Sequence, residues 1–160
     1  MSVAELQAPF APWLGRWQGE GRGLWPAEPR FRYHETVLIE AVPERPVLRF
    51  SQSATDSLTG ELTHAEVGFI RLLPAQAVEL ILAIAGGYTE IHTGHLHDGV
   101  MTLQPHTVAI SPASLALGLV RRRLELKGDQ LRNTIAISVG AAEVGRHVES
   151  RLQRAVAGAA

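Results

Sequence analysis

Apolar and polar side chains alternate along most of this chain. In residues 30–42 one face collects the apolar side chains Phe31, Tyr33, Val37, Ile39 and Ala41, and only Glu35 interrupts it. The opposite face is mostly polar. Because successive side chains of a strand point to opposite faces, this pattern predicts a β-strand with one buried face.

Further segments show the same alternation, and short turn signals separate them. The additional predicted strands are Arg16–Leu24, Pro46–Ala54, Glu61–Leu73, Ala77–Ala85, Thr89–His97, Val100–Thr107, Leu119–Lys127 and Gln130–Val139. The sequences between them are rich in Gly, Pro and Asp, for example PERP at 43–46 and HDG at 97–99. Turns this short favour antiparallel neighbours joined in a meander.

A sheet of about ten strands must protect its edges, and closing into a barrel removes them. We therefore predict an all-β fold, an up-and-down antiparallel barrel of about ten strands that resembles the lipocalins and fatty-acid-binding proteins. A β-sandwich is the other solution, and periodicity alone does not choose between the two.

Two segments depart from the alternation. Residues 3–14 are interpreted as a short N-terminal turn or helix. Residues 145–157 are interpreted as a C-terminal helix, with His147 in its first turn. The apolar residues Val148, Leu152 and Val156 follow one another at intervals of four, which is typical of a helix face.

Composition narrows the classes of function. The 160 residues predict one domain over 1–160. Only 19% of them are charged, which is consistent with a barrel whose interior wall lines a ligand cavity. The net charge is −1 and the basic run at 121–123 is interpreted as a solvated strand face, so we expect no nucleic-acid partner. The absence of cysteine excludes disulfides, zinc–thiolate sites and thiol catalysis. Without a leader pattern or a long apolar run, we expect a cytoplasmic protein that does not bind membranes.

Residue patterns offer little evidence for familiar catalytic sites. No serine lies in a G-x-S-x-G sequence, and the acidic residues are scattered singly. A mononuclear metal site needs three or four converging ligands, and the pair His95 and His97 falls short of that. Together with His34, His92 and His106 they are interpreted as surface histidines. Taken alone, His147 would be interpreted in the same way.

Five motifs change that interpretation of His147. In chain order they are GRWQGEG at 15–21, WPAEPRFRYHETV at 25–37, THAEVGFIRL at 63–72, GGYTEIHTGHLHDG at 86–99 and GRHVESRLQRA at 145–155. Together they resemble the nitrobindin family, also described as ferric haem β-barrels or peroxynitrite isomerases. The alternate glycines of the first motif also suit a tightly curled strand, with Trp17 closing one end of the barrel. Val148, Ser150 and Ala85 depart mildly from the family pattern.

The resemblance implies a ferric haem b with His147 as the axial ligand to the iron. It places His64 on the opposite side of the haem, as a second catalytic residue. It also places Thr63, Ile137 and Val144 beside the haem. A haem-ligating imidazole is neutral, and its other nitrogen usually donates to a carbonyl or carboxylate. The acceptor could be Glu143, Glu149 or a backbone carbonyl, and the sequence leaves the choice open.

The implied function is the binding of NO and the conversion of peroxynitrite to nitrate. A non-catalytic carrier of an apolar small molecule, as in lipocalins, is the alternative. A third hypothesis is a member that has lost haem and serves only in protein contacts. A homodimer formed through the barrel walls is compatible with all three.

Overall fold

Ten antiparallel strands form a closed barrel in the computed structural model, which describes residues 1–23, 30–114, 118–138 and 144–156. The strands are β1 (Gly15–Gly23), β2 (Arg32–Ala41), β3 (Val47–Asp56), β4 (Leu62–Leu72), β5 (Ala77–Ile84), β6 (Tyr88–His97), β7 (Val100–Ile110), β8 (Val120–Lys127), β9 (Gln130–Ile137) and β10 (Gly145–Arg154). A short helix α1 (Val3–Gln7) and 3-10 turns at Ala8–Trp13 and Pro74–Gln76 complete the described elements.

The strand order is that of a meander closed on itself. Each strand pairs with the next one along the chain, and β1 also pairs with β10, for example Trp17 with Arg154. Closure gives each of the ten strands two neighbours, because β1 finds its second partner in the last strand. The barrel that the sequence predicted is therefore confirmed, and the sandwich is not the solution this chain adopts.

The N-terminal segment, together with Trp17, closes one end of the barrel, and we call this closure the plug. Its 3-10 turn buries Phe10 and Trp13, and the indole of Trp17 donates to the carbonyl of Trp13 at 3.0 Å. The guanidinium carbon of Arg154 lies 4.2 Å from the centre of the Trp17 ring, which makes a cation–π contact. Trp17 is fully buried, as the sequence predicted.

The main hydrophobic core lies at this same end. It is built from inward side chains near the start of the odd-numbered strands and the end of the even-numbered ones, among them Ile39, Leu48, Ile70, Leu80, Leu103 and Leu152. The strands approach closely here. A Cβ atom on Gly19 would lie 2.1 Å from the carbonyl oxygen of Arg151, so only glycine fits at this position in the pairing of β1 with β10.

The predicted C-terminal helix is wrong. Gly145–Arg154 forms β10, which pairs with both β1 and β9 and so closes the barrel. Val148 and Leu152 satisfy a strand as well as a helix, since Ser150 between them also faces inward and is buried. A helix here would leave the backbone groups of β1 and β9 without partners, and that cost outweighs the local pattern. The short N-terminal helix, by contrast, is confirmed.

No helix among the described residues has the length and apolar character needed to cross a membrane.

Candidate functional site

A cavity of about 280 Å³ lies at the end of the barrel opposite the plug. Its walls come from the other ends of the same strands. The apolar lining is Phe31, Ala54, Ile84, Val120, Ile135, Ile137 and Val148. The polar lining includes two histidines, His64 on β4 and His147 on β10.

A β-bulge directs His147 into this cavity. In the pairing of β10 with β9, Arg146 lies opposite Ala136 and Val148 lies opposite Ile135, so His147 is the extra residue. A bulge interrupts the strict alternation of side chains. As a result the consecutive residues His147 and Val148 both line the cavity. The sequence placed His147 in a helix, which is wrong, but the structure still brings it to the cavity wall.

Outside the barrel, an ion triad spans the bulge. The Oε2 atom of Glu149 accepts hydrogen bonds from Nη1 of Arg146 and from Nη2 of Arg132, each at 3.0 Å. Burial alone would raise the pKa of Glu149, but these two guanidinium groups lower it. The triad ties the residues on both sides of His147 to β9. Glu149 is therefore engaged by two arginines, and the other carboxylate suggested as a partner of His147, Glu143, lies outside the described residues.

The other predicted site residues fall into two groups. His64, Thr63 and Ile137 line the same cavity as His147. The hydroxyl of Thr63 donates to the carbonyl of Ala54 at 3.1 Å, which ties β4 to β3 at the rim. Val144 directly precedes β10, is half-buried and is not among the residues that line the cavity.

A layer of polar residues separates the cavity from the hydrophobic core, and it was not foreseen from the sequence. We call it the polar layer. Its members are all buried, and they are Glu35, Gln52, Glu66, Glu90, His92, Arg122, Asn133 and Ser150. Four side-chain atoms of the polar layer have no hydrogen-bond partner among the described residues: Oε2 of Glu35, Oε1 of Gln52, Nδ1 of His92 and Oγ of Ser150.

Arg122 is the centre of the polar layer. Its guanidinium donates to both carboxylate oxygens of Glu66, at 2.8 and 3.0 Å, and from Nε and Nη2 to Oε2 of Glu90, at 3.0 and 2.9 Å. Each carboxylate also bonds a histidine on its own strand. Nε2 of His64 lies 3.0 Å from Oε2 of Glu66, and Nε2 of His92 lies 2.8 Å from Oε2 of Glu90.

The charges of this network set the state of its carboxylates. Burial by itself raises the pKa of Glu66, but the charge of Arg122 and hydrogen bonds from His64 and Arg122 outweigh it and bring the pKa to about 2. The pKa of Glu90 is lowered in the same way, against the effect of burial. Both groups are carboxylates at neutral pH and stand on the two sides of one guanidinium.

Glu35 behaves in the opposite way. Burial raises its pKa and the negative charge of Glu66 adds to the effect, while the nearby hydroxyl of Ser150 and the hydrogen bond from Nδ2 of Asn133 at 2.8 Å only partly offset it. No arginine of the described residues is bonded to it, so it holds its proton to a higher pH than an ordinary glutamate.

Two sequence interpretations need correction. The run at 121–123 is not one solvated face, because Arg121 and Arg123 are exposed whereas Arg122 is buried. His92 is fully buried, not a surface residue. In both cases the signal was the alternation itself, which puts these side chains on the inward face of their strands. His34, His95, His97 and His106 are exposed, as predicted.

Comparison with known proteins agrees with this arrangement. Residues 7–154 match the family model described as "THAP4-like, heme-binding beta-barrel domain". Peroxynitrite isomerase 1 of Rhodococcus jostii (strain RHA1) is 31% identical over 146 residues, which cover 91% of this chain and 82% of that protein. Peroxynitrite isomerase 2 of Mycobacterium ulcerans (strain Agy99) is 32% identical over 149 residues, which cover 91% of this chain and 92% of that protein.

Solved structures show the same fold. The crystal structure of Rv2717c from M. tuberculosis superposes with a TM-score of 0.86 at 26% sequence identity, and the match covers 94% of this chain and 98% of that one. An S-type phycobiliprotein lyase from Guillardia theta is similar in fold alone, with a TM-score of 0.63 at 13% identity, over 98% of this chain and 94% of that one.

Proposed function

The chain belongs to the nitrobindin family of THAP4-like, heme-binding β-barrel domains, and from this premise we propose that it binds ferric haem b through His147 and converts peroxynitrite to nitrate. The observation that carries the proposal is the β-bulge that places His147 in the wall of an apolar cavity. The relatives named peroxynitrite isomerase support the reaction.

The residues of the cavity fit a haem. Haem needs one neutral imidazole nitrogen for its iron and an apolar slot for its ring. His147 supplies the imidazole, and seven of the cavity residues are apolar side chains from five strands and from the residue before β2. The arginine nearest the floor, Arg122, is already bonded to two carboxylates. It therefore serves the floor of the cavity and not a further anion.

Each part of the cavity has a distinct task in this proposal. When bound, a ferric haem supplies a Lewis-acidic iron that can also exchange one electron with a small ligand such as NO or peroxynitrite. His147 would hold the haem iron, and His64 on the wall of the same cavity would contact a ligand of the haem. The apolar walls would exclude bulk water, which competes with such a ligand.

Reconstitution with ferric haem tests the binding claim. We expect the wild-type protein to show the absorption spectrum of a haem with one histidine ligand. His147→Ala should weaken haem binding by more than about 100-fold, because it removes the only strong ligand that we assign. His106→Ala is the matched control, since that histidine is exposed and does not line the cavity. Equal loss in both variants would contradict the proposal.

Rapid mixing with peroxynitrite tests the reaction. We expect the haem-loaded protein to accelerate peroxynitrite decay and to raise the yield of nitrate over nitrite. Equal decay rates with loaded wild-type protein and with the His147→Ala protein would reduce the chain to a haem binder. Tight binding of an apolar dye that His147→Ala leaves unchanged, without haem binding, would favour the lipocalin-like carrier instead. A cytoplasmic location and assembly into a homodimer remain predictions.

A further inference from the structure

One histidine of the cavity wall is bonded to a carboxylate below the cavity floor. Nε2 of His64 lies 3.0 Å from Oε2 of Glu66. The His64 side chain is 35% exposed and lines the cavity, whereas Glu66 is fully buried and does not line it. The contact therefore joins the cavity to the polar layer beneath it.

The partners of Glu66 determine which nitrogen of His64 carries the proton. Arg122 donates to both carboxylate oxygens of Glu66, and its charge keeps the pKa of Glu66 far below the usual value despite burial. An ionised carboxylate only accepts hydrogen bonds. The hydrogen between Glu66 and His64 must therefore come from the imidazole, on Nε2. In a neutral imidazole the other nitrogen, Nδ1, is then an acceptor.

Nδ1 of His64 is the nitrogen left for the contents of the cavity. Among the hydrogen bonds of the described residues, the His64 ring takes part only through Nε2. We propose that Glu66, held by Arg122, is a positioning residue that keeps Nδ1 of His64 an acceptor, so that the cavity favours ligands that bring their own proton. The preference for such ligands rests on the proposed haem binding, but the state of His64 does not.

An acceptor nitrogen in the cavity would distinguish the two forms of peroxynitrite. Peroxynitrite exists as an anion and as its conjugate acid, peroxynitrous acid. An acceptor nitrogen can bond the hydroxyl of the acid, whereas it faces the anion with a lone pair and no hydrogen to donate. His64 would therefore recognise peroxynitrous acid by accepting its hydrogen bond. It would donate no hydrogen bond to nitric oxide.

The polar layer contains its own comparison. His92 and Glu90 repeat the contact on the other side of Arg122, with Nε2 of His92 at 2.8 Å from the carboxylate. His92 is fully buried and does not line the cavity. A change at Glu90 therefore disturbs the same arginine without touching His64.

The first test needs no haem. Histidine ¹⁵N NMR of the protein without haem, at about pH 8.5 where protein imidazoles are mainly neutral, distinguishes the two tautomers of each ring. The His64 signals are assigned by their loss in His64→Gln. We expect a protonated Nε2 and an unprotonated Nδ1. A protonated Nδ1, or a fast mixture of tautomers like that of an exposed histidine, would overturn the proposal with the wild-type protein alone.

Variants then test the role of Glu66. In Glu66→Gln the charge is lost and one of the two oxygens becomes an amide nitrogen, so Arg122 and Nε2 of His64 compete for the single acceptor that remains. We expect His64 to lose its fixed tautomer and to give the fast mixture of an exposed histidine. Glu90→Gln should leave the His64 tautomer unchanged. The same change of tautomer in both variants would mean that the charge on Arg122, and not Glu66 itself, sets the state of His64, and the proposal would fail.

The second test uses two ligands of ferric haem. Hydrogen cyanide brings a proton, whereas fluoride is a bare anion that prefers a hydrogen-bond donor. We expect Glu66→Gln to lower the affinity for hydrogen cyanide relative to fluoride by about tenfold, the scale of one exchanged hydrogen bond. In a His64→Gln background the same substitution should change the ratio less than about twofold. An equal change in both backgrounds would overturn the role of His64.

The two tests separate the failures. If the protein binds no haem but the NMR shows the expected tautomer, the proposed function fails and the positioning role of Glu66 stands. If haem binds and the tautomer is the other one, the proposed function stands and the positioning role fails.

Discussion

Removing Arg122 should be the most damaging single substitution in the polar layer. In Arg122→Met the methionine fills part of the space, but Glu66 and Glu90 lose every hydrogen bond that the guanidinium donates. The side chains of these glutamates are 0% and 2% exposed, so water has little access to replace the lost partner. Breaking a buried ion pair from one side typically costs about 3–5 kcal/mol. We expect a loss of that size in the free energy of unfolding at about pH 8.

Acid should reduce this loss. In the wild type the pKa of Glu66 is lowered to about 2, so its contribution to stability is complete above about pH 4.5 and disappears as the pH falls toward 2. The charge of Arg122 is the strongest influence that lowers the pKa of Glu66, so this pKa rises in Arg122→Met although the hydrogen bond from His64 remains. The variant then loses less stability than the wild type as the pH falls. The difference between the two proteins therefore narrows as the pH falls toward 2.

Urea unfolding followed by tryptophan fluorescence measures both effects, because Trp13 and Trp17 are buried in the plug. Arg123→Met is the matched control. Its guanidinium is 49% exposed and pairs with Glu125 on the barrel surface, so its loss should cost less than about 1 kcal/mol. A loss in Arg122→Met that equals that of the control, or that does not change with pH, would refute the account of the polar layer.

Three further substitutions test separate parts of the fold by the same unfolding assay. Because burial raises the pKa of Glu35, the folded protein holds a proton there that the unfolded chain has lost above about pH 4.5. Glu35→Gln should therefore gain stability relative to the wild type as the pH rises, and a difference that does not depend on pH would contradict this. Gly19→Ala should lower the free energy of unfolding by about 2–4 kcal/mol, since its Cβ would lie 2.1 Å from the Arg151 carbonyl oxygen. Gly60→Ala, at a φ of +72° and with nothing within 4 Å, should lower it by about 1–2 kcal/mol, and similar losses would argue against a close approach of β1 and β10. Arg154→Met should lower the free energy of unfolding by about 1–3 kcal/mol, because it removes two hydrogen bonds to the N-terminal segment and a cation–π contact. An unchanged stability would show that the plug does not depend on Arg154.

The local pattern was sufficient for most of the barrel. Alternation located β1 to β9 because each of them buries one face, and the short turns gave their antiparallel order. It failed at β10 because the bulge at His147 shifts the alternation by one residue and Ser150 faces inward. A stripe of apolar residues at intervals of four then fitted a helix better. Only pairing with β1, which lies at the other end of the chain, settles the matter.

The polar layer could not be predicted in the same way. Glu35 was visible as an interruption of an apolar face, yet a single polar residue has no meaning until its partners are known. Glu66 and Arg122 are 56 residues apart and meet only across the closed barrel. Sequence position therefore places each of them on an inward face, but the charge balance that makes their burial tolerable is a property of the three-dimensional fold.

The axial ligand is the claim on which the functional account depends, and resonance Raman spectroscopy of the reduced, haem-loaded protein measures it directly. We expect an iron–histidine stretching band in the wild type and in His64→Gln, its loss in His147→Gly, and its return when free imidazole is added to that variant. A band that persists unchanged in His147→Gly would show that another residue holds the iron, and the assignment of this cavity to haem through His147 would be wrong.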